Sequence, residues 1–215
     1  MAQRTLHYLF GEIFSQRFDI KDKDRFILGS IMPDAYSDPS DRDTTHFKVR
    51  TGSRIYIDFN AFREQYSEMI FKDDLYLGYY MHLTEDAFYR RFIYSGRFSM
   101  PKNAEEVAVL HNDYHILNHY IVNKYGLINT LCCPENIGNE CINRIADFRV
   151  RDFLAEMSAD FTENTKGQTH FINEASADEY AAEFIPIGLK ELECIKKGYF
   201  SLEAIDYAWE RVKPK

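Results

Sequence analysis

Gly78-Tyr79-Tyr80-Met81-His82-Leu83-Thr84-Glu85-Asp86-Ala87-Phe88-Tyr89 forms the middle of a stretch from Leu75 to Tyr94 that is aromatic or aliphatic on nearly every face of a helix. A helix with no polar side to turn to water belongs inside a protein. Asp73 or Asp74 supplies its N-cap. His82 and Asp86 are four residues apart, so they share a face with Cβ atoms about 5 to 6 Å apart. Imidazole and carboxylate at that spacing reach one ion, or simply pair with each other.

The flanking sequence reads as more helices. Leu6, Leu9, Phe10, Ile13 and Phe14 make one stripe over residues 4–18, with His7 beside it. An acid-capped helix over 22–31 stops at Pro33, because proline disfavours helix in the residue before it. Asn60 caps a helix through Met69, and Asn103 opens one to about Lys124. Further helices are expected between Pro134 and Ile145 (flanked by Asn139), over 151–161, over 176–197 with Ser176 and Glu179 at capping-box spacing, and over 201–212. Residues 33–45 are turn formers rich in carboxylates, and only 54–59 alternates like a strand. The expected fold is all-α, a multi-helix bundle with one long loop. The 215 residues suit a single domain, with a metal-site half at 1–124 and a second helical half at 125–215.

The net charge of -8 and pI near 5.4 argue against a large nucleic-acid surface. A phosphate-bearing ligand would need a local cation, which a bound divalent metal supplies. No run approaches the ~18 to 20 apolar residues of a membrane span, and no leader precedes Arg4, so a cytoplasmic protein is expected. Cys132, Cys133, Cys141 and Cys194 lack C-x-x-C spacing and read as reduced thiols; a zinc held by the first three is the lesser alternative.

Six of the seven histidines lie in the first 120 residues. His111, His115 and His119 form a row on one helix, either a solvated face or a metal-held set, with His119 the bystander turning to the core. Asp34 follows an apolar run and the loop's first proline, and His46 closes the loop; a loop carboxylate beside a histidine can take a proton from a metal-activated water. Asp38, Asp41 and Asp43 read as turn residues, and His170 as structural or exposed. Arg90 and Arg91, a turn beyond Asp86, are placed to steady a phosphate or to pair with surface acids. Tyr79 and neighbouring aromatics are core residues by default, with a pocket lining as the alternative.

The order His7, Leu28-Gly29-Ser30-Ile31-Met32-Pro33-Asp34, His46-Phe47, Gly78 to Asp86 and then a His-rich helix resembles the zinc-dependent phospholipase C family, whose superfamily includes the fungal single-strand-specific nucleases. The likeness covers roughly residues 4–120. It implies a helical fold holding zinc in a cleft, with His7, Asp34, His46, His82, Asp86, His111 and His115 as ligands and Asp34 as the catalytic base. The family's histidine six residues after the aspartate of H-x-x-x-D is Phe92 here, and its N-terminal amine ligand would have to come from Ala2, so one or two ions are expected rather than three. The implied activity is phosphoester hydrolysis on a phospholipid, a nucleotide or a small phosphodiester, with Arg90 and Tyr79 as substrate contacts. A metal-binding or sensing protein without turnover is the alternative. An HD-type phosphohydrolase is a weaker one, since the chain has no adjacent His-Asp.

Overall fold

In a computed structural model that describes residues 3–137, 140–162 and 167–210, the central helix is Asp74–Ile93, labelled α5. It starts at the Asp73 N-cap, whose side chain accepts from the Leu75 N–H, and sixteen of its residues are buried. Around it run α1 (Arg4–Arg17), α2 (Lys23–Ile31), the short α3 (Arg42–Thr45), α4 (Phe59–Lys72), α6 (Ala104–Tyr125), α7 (Val150–Thr162) and α8 (Glu174–Lys196). The architecture is mainly helical, as the apolar periodicity required.

The tightest crossing is between α2 and α5, and glycine makes it. A Cβ on Gly29 would lie 2.0 Å from the Leu75 carbonyl oxygen, and one on Gly78 2.0 Å from that of Phe26. The two backbones therefore touch, and the turns that follow, Ser30 on α2 and His82 on α5, are brought side by side. Beyond this crossing Phe10, Phe14, Phe88, Phe92, Tyr180 and Phe184 fill the space between α1, α5 and α8 with ring contacts. Each such side chain buries about 150 to 250 Å², which makes this aromatic seam the main apolar reservoir of the fold.

The loop between α2 and α4 is more ordered than its composition suggests. It contains 3-10 turns at Met32–Asp34 and Pro39–Asp41 as well as α3. After it comes a hairpin, β1 (Lys48–Thr51) against β2 (Arg54–Ile57), antiparallel with Lys48 opposite Ile57 and Thr51 opposite Arg54. Gly52, at a φ of 62°, makes the reversal. The expected strand is thus real but stops at Ile57, and Asp58, not Asn60, caps α4 by accepting from the Ala61 N–H.

Other expectations in the second half fail. Residues 134–137 and 140–145 hold no α-helix; Ile142 and Ile145 pair across a tight bridge instead, while Asn139 lies outside the described residues. The helix expected over 201–212 is a 3-10 turn at Ala204–Tyr207 followed by β3 (Trp209–Glu210), where Trp209 pairs with Ile55 and buries its ring. Val212, like Ala2, falls outside the described residues. The capping box of α8 is made by Asn173 and Ser176 rather than Ser176 and Glu179. α7 packs on α6, and α8 on α1, α5 and α6. No helix among the described residues is long and apolar enough to cross a membrane.

Candidate metal centre

Four segments meet beside the α2–α5 crossing. α1 brings His7, the 3-10 turn after α2 brings Asp34, the end of α3 brings His46, and α5 brings His82, Glu85 and Asp86. None of these six side chains is more than 8% exposed. Taking so many ionisable groups out of water is costly unless they neutralise or share a counter-charge.

The histidines are held alike. His82 Nδ1 lies 2.8 Å from the Ser30 carbonyl oxygen and His46 Nδ1 2.8 Å from that of Arg42. A carbonyl only accepts, so both Nδ1 atoms carry protons, and each ring in its neutral form presents a bare Nε2 lone pair. His7 Nδ1 lies 2.6 Å from Glu85 Oε2, and its Nε2 has no hydrogen-bond partner. Tying one ring nitrogen to a carbonyl or carboxylate so that the other is aimed inward is how proteins orient metal-binding imidazoles.

The three Nε2 atoms converge with two carboxylates. His46 Nε2 and His82 Nε2 are 3.3 Å apart, so with both rings neutral their lone pairs would face each other, and the contact calls for either a proton on His46 Nε2 or a metal ion between them. Asp34 places Oδ1 3.1 Å from His46 Nε2 and Oδ2 3.8 Å from His7 Nε2. Asp86 does the same in mirror order, with Oδ1 3.8 Å from His7 and Oδ2 3.7 Å from His46. Each carboxylate therefore spans the two outer histidines. Two ligand sets result, His7–Asp34–His82 and His46–His82–Asp86, each with its ligand atoms within 4.8 Å of one another. His82 belongs to both sets but has one inward nitrogen, so it serves one ion at a time. A second ion would depend on the bridging of Asp34 and Asp86.

The proton affinities follow from this burial. Burial, then His7, brings His82 down to about 3. Burial also lowers His7 against the pull of Asp34 and Asp86. His46 moves the other way: burial pulls it down, but its hydrogen bond to Asp34 and the charges of Asp34 and Asp86 outweigh that and raise it. For Asp34 burial pushes upward, yet the His46 hydrogen bond and the histidines around it hold the carboxyl low. Burial, then Asp86 and Asp34, raises Glu85 well above the ordinary range. Without a metal, His46 and Glu85 are the members of the group whose hold on a proton is strengthened. Glu85 accepts from His7 Nδ1–H once His7 Nε2 serves as a ligand.

A cleft of about 850 Å³ opens over Asp34, lined on other sides by Arg90, His111 and His115. A smaller recess holds His46 and Asp86, with Arg42 and Arg90 at its edge.

Not every expected residue joins the centre. His111 and His115 are exposed on α6 and face the cleft outside both ligand sets, because their helix packs on α1 and α7 rather than on the α2–α5 crossing. Tyr79 is fully buried; its hydroxyl donates to the Thr45 carbonyl at 2.7 Å and its ring stacks on Phe62, so it holds the segment before His46 and lines neither the cleft nor the recess. Arg91 donates to the Asp206 carbonyl, away from the cleft. Asp38 accepts from the Ser40 N–H, and Asp43 pairs with Lys48 and Arg50, as turn and surface residues do. His119 is buried, and the exposed His170 donates its backbone N–H to Asp113. Cys132 and Cys141 are exposed and join no ligand set among the described residues. Sequence reasoning passed over Glu85, whose signal was an acid beside Asp86 in an otherwise apolar helix. No protein-family model, no curated protein and no solved structure matches this chain.

Proposed function

We propose that this protein is a metal-dependent phosphoester hydrolase of the type that the zinc-dependent phospholipase C family represents, with zinc or another divalent ion held in one or two copies. The observation that carries the reading is the convergence of the buried His7, His46 and His82 Nε2 atoms on Asp34 and Asp86, with His46 and His82 Nε2 only 3.3 Å apart and their Nδ1 protons committed to the Arg42 and Ser30 carbonyls. Buried imidazoles and carboxylates at this spacing form an N/O donor set suited to zinc. His7, His46, His82, Asp34 and Asp86 would hold the ion, which supplies Lewis-acid stabilisation of phosphate oxygens and lowers the pKa of water.

The chain's own residues divide the remaining work. Asp34 is the one of the five that also lines the large cleft, and its carboxyl is held low, so it stays ionised to orient a water and take its proton. Glu85 fixes the ring of His7, and Tyr79 fixes the backbone entering His46. The depth of the centre also suits a second reading, a metal-binding protein without turnover.

Mass spectrometry for metal, run on the wild type and on a His82→Ala, Asp86→Ala double variant, followed by phosphoesterase assay of the same samples, tests the proposal. Zinc and activity lost together support it. Zinc present in the wild type with no turnover favours the second reading, and no metal in either sample refutes both.

A further inference from the structure

The chain carries a net charge of -8, yet its large cleft is lined by Arg4, Arg42, Arg90, Lys102 and Arg149 against only Asp34 and Glu156. Two of these cations are already engaged, Arg4 with Asp160 and Arg149 with Glu156. Arg42 and Arg90 are different. Both are half-buried, and neither forms a side-chain hydrogen bond or ion pair with a described residue. Both also line the recess that holds His46 and Asp86, so the two arginines adjoin the metal centre as well as the cleft.

A guanidinium withdrawn from water without a partner is unfavourable, and its planar fork matches the oxygens of a phosphate. The charge balance narrows the ligand further. Asp34, Asp86 and Glu85 carry one negative charge more than a single divalent ion cancels, and Arg42, Arg90 and the exposed Lys102 then leave two positive charges in surplus. That surplus matches a phosphomonoester, close to a dianion at neutral pH, better than a singly charged diester. A monoester also has three terminal oxygens to share between two forks and a metal, where a diester has two. The cleft is also walled by the apolar and aromatic residues Tyr94, Phe98, Met100, Leu110, Tyr114 and Phe153, and its volume of about 850 Å³ far exceeds a phosphate.

We propose that Arg42 and Arg90 clamp the terminal phosphate of a phosphomonoester whose alcohol carries a sizeable apolar or aromatic group, seated against that wall. This rests on the hydrolase reading of the same site and names its substrate class. In the reaction a water oxygen bonds to phosphorus, the ester P–O bond breaks, the alcohol departs with a proton, and inorganic phosphate remains between the two arginines.

Binding tests the clamp independently of turnover. Zinc-loaded wild type, Arg42→Gln and Arg90→Gln are titrated calorimetrically with inorganic phosphate and with dimethyl phosphate, and metal content is measured to confirm that each variant keeps its centre. The expected result is phosphate bound at least about tenfold more tightly than dimethyl phosphate, with each variant losing about tenfold on phosphate while retaining zinc. Equal affinity for the two anions, or variants that keep both zinc and phosphate affinity, overturns the clamp. The same samples are then assayed with 4-nitrophenyl phosphate and bis(4-nitrophenyl) phosphate. Arginine-dependent phosphate binding without hydrolysis of either ester leaves the clamp standing and removes the hydrolase reading. Hydrolysis that prefers the diester and ignores both substitutions does the reverse.

Discussion

Two groups of histidines share this molecule, and they differ in nearly everything but residue type. His111, His115 and His119 recur every four residues on one helix, while His7, His46 and His82 are scattered over three segments. The regular row leaves His111 and His115 in solvent. The scattered set is buried, has each Nδ1 tied to an acceptor, and aims each Nε2 at two carboxylates. The geometry that could hold an ion is therefore found where rings are fixed and water is excluded, and regular spacing alone does not produce it.

The largest effect that would separate the two groups is on metal content. His82→Ala with Asp86→Ala removes a member of both ligand sets and should abolish zinc binding, whereas His111→Ala with His115→Ala should leave stoichiometry unchanged. Loss of zinc in the second variant, with its helical circular dichroism intact, would move the centre to α6. Next in size is the crossing that aligns Ser30 with His82. Gly78→Ala drives a methyl into the Phe26 carbonyl, where no flexible side chain can give way. A cost of about 3 kcal/mol is expected, or a Tm lower by roughly 6 to 12 °C for a domain of this size. A thermal melt that does not move would mean the helices separate without penalty.

Smaller changes sharpen the role of the acceptors. Glu85→Gln keeps an oxygen for His7 Nδ1 but removes its charge, and should weaken zinc about tenfold or more without unfolding the protein. Competition with a chelator measures this, and an unchanged affinity would leave Glu85 without a part in orienting His7.

Acid should act through the same burial. His82 titrates near 3 in the folded chain against 6.5 when unfolded, and His7 is lowered too, so below pH 6.5 the unfolded state takes up protons that these folded rings refuse. His46, raised above 6.5, is protonated in both states there and adds no slope; Glu85, raised above 4.5, holds a proton only when folded and offsets one of the two. Stability of the metal-free protein should therefore fall as the pH drops from 6.5 to 5, by at most about 1 kcal/mol per pH unit. Urea unfolding across that range tests it, and stability that rises on acidification would reverse the assignment.

Much of the helical frame was legible because local chemistry wrote it. Asp22, Asp73 and Asn103 cap α2, α5 and α6 as their side chains allow, and the all-round apolar character of α5 matches its central place. β1 and β3 were not legible: Lys48–Thr51 is too short and polar to alternate clearly, and Trp209–Glu210 is strand only because β2 offers an edge. The site was half legible. His82 with Asp86 could be read from helical spacing, Asp34 with His46 from a loop carboxylate beside a histidine, and His7 only from the order of motifs. The acceptors that orient His46 and His82 are backbone carbonyls, which any residue possesses and no sequence pattern reveals. Arg42 and Arg149 escaped notice for a related reason, since they reach the cleft from separate segments.

X-ray absorption at the zinc edge of the metal-loaded protein bears most directly on the central claim. The expected spectrum has only N/O neighbours at about 2.0 to 2.1 Å with the multiple scattering of imidazole, and it stays the same in the His111→Ala, His115→Ala variant. A sulfur shell near 2.3 Å, or imidazole scattering that disappears with His111 and His115, would contradict it.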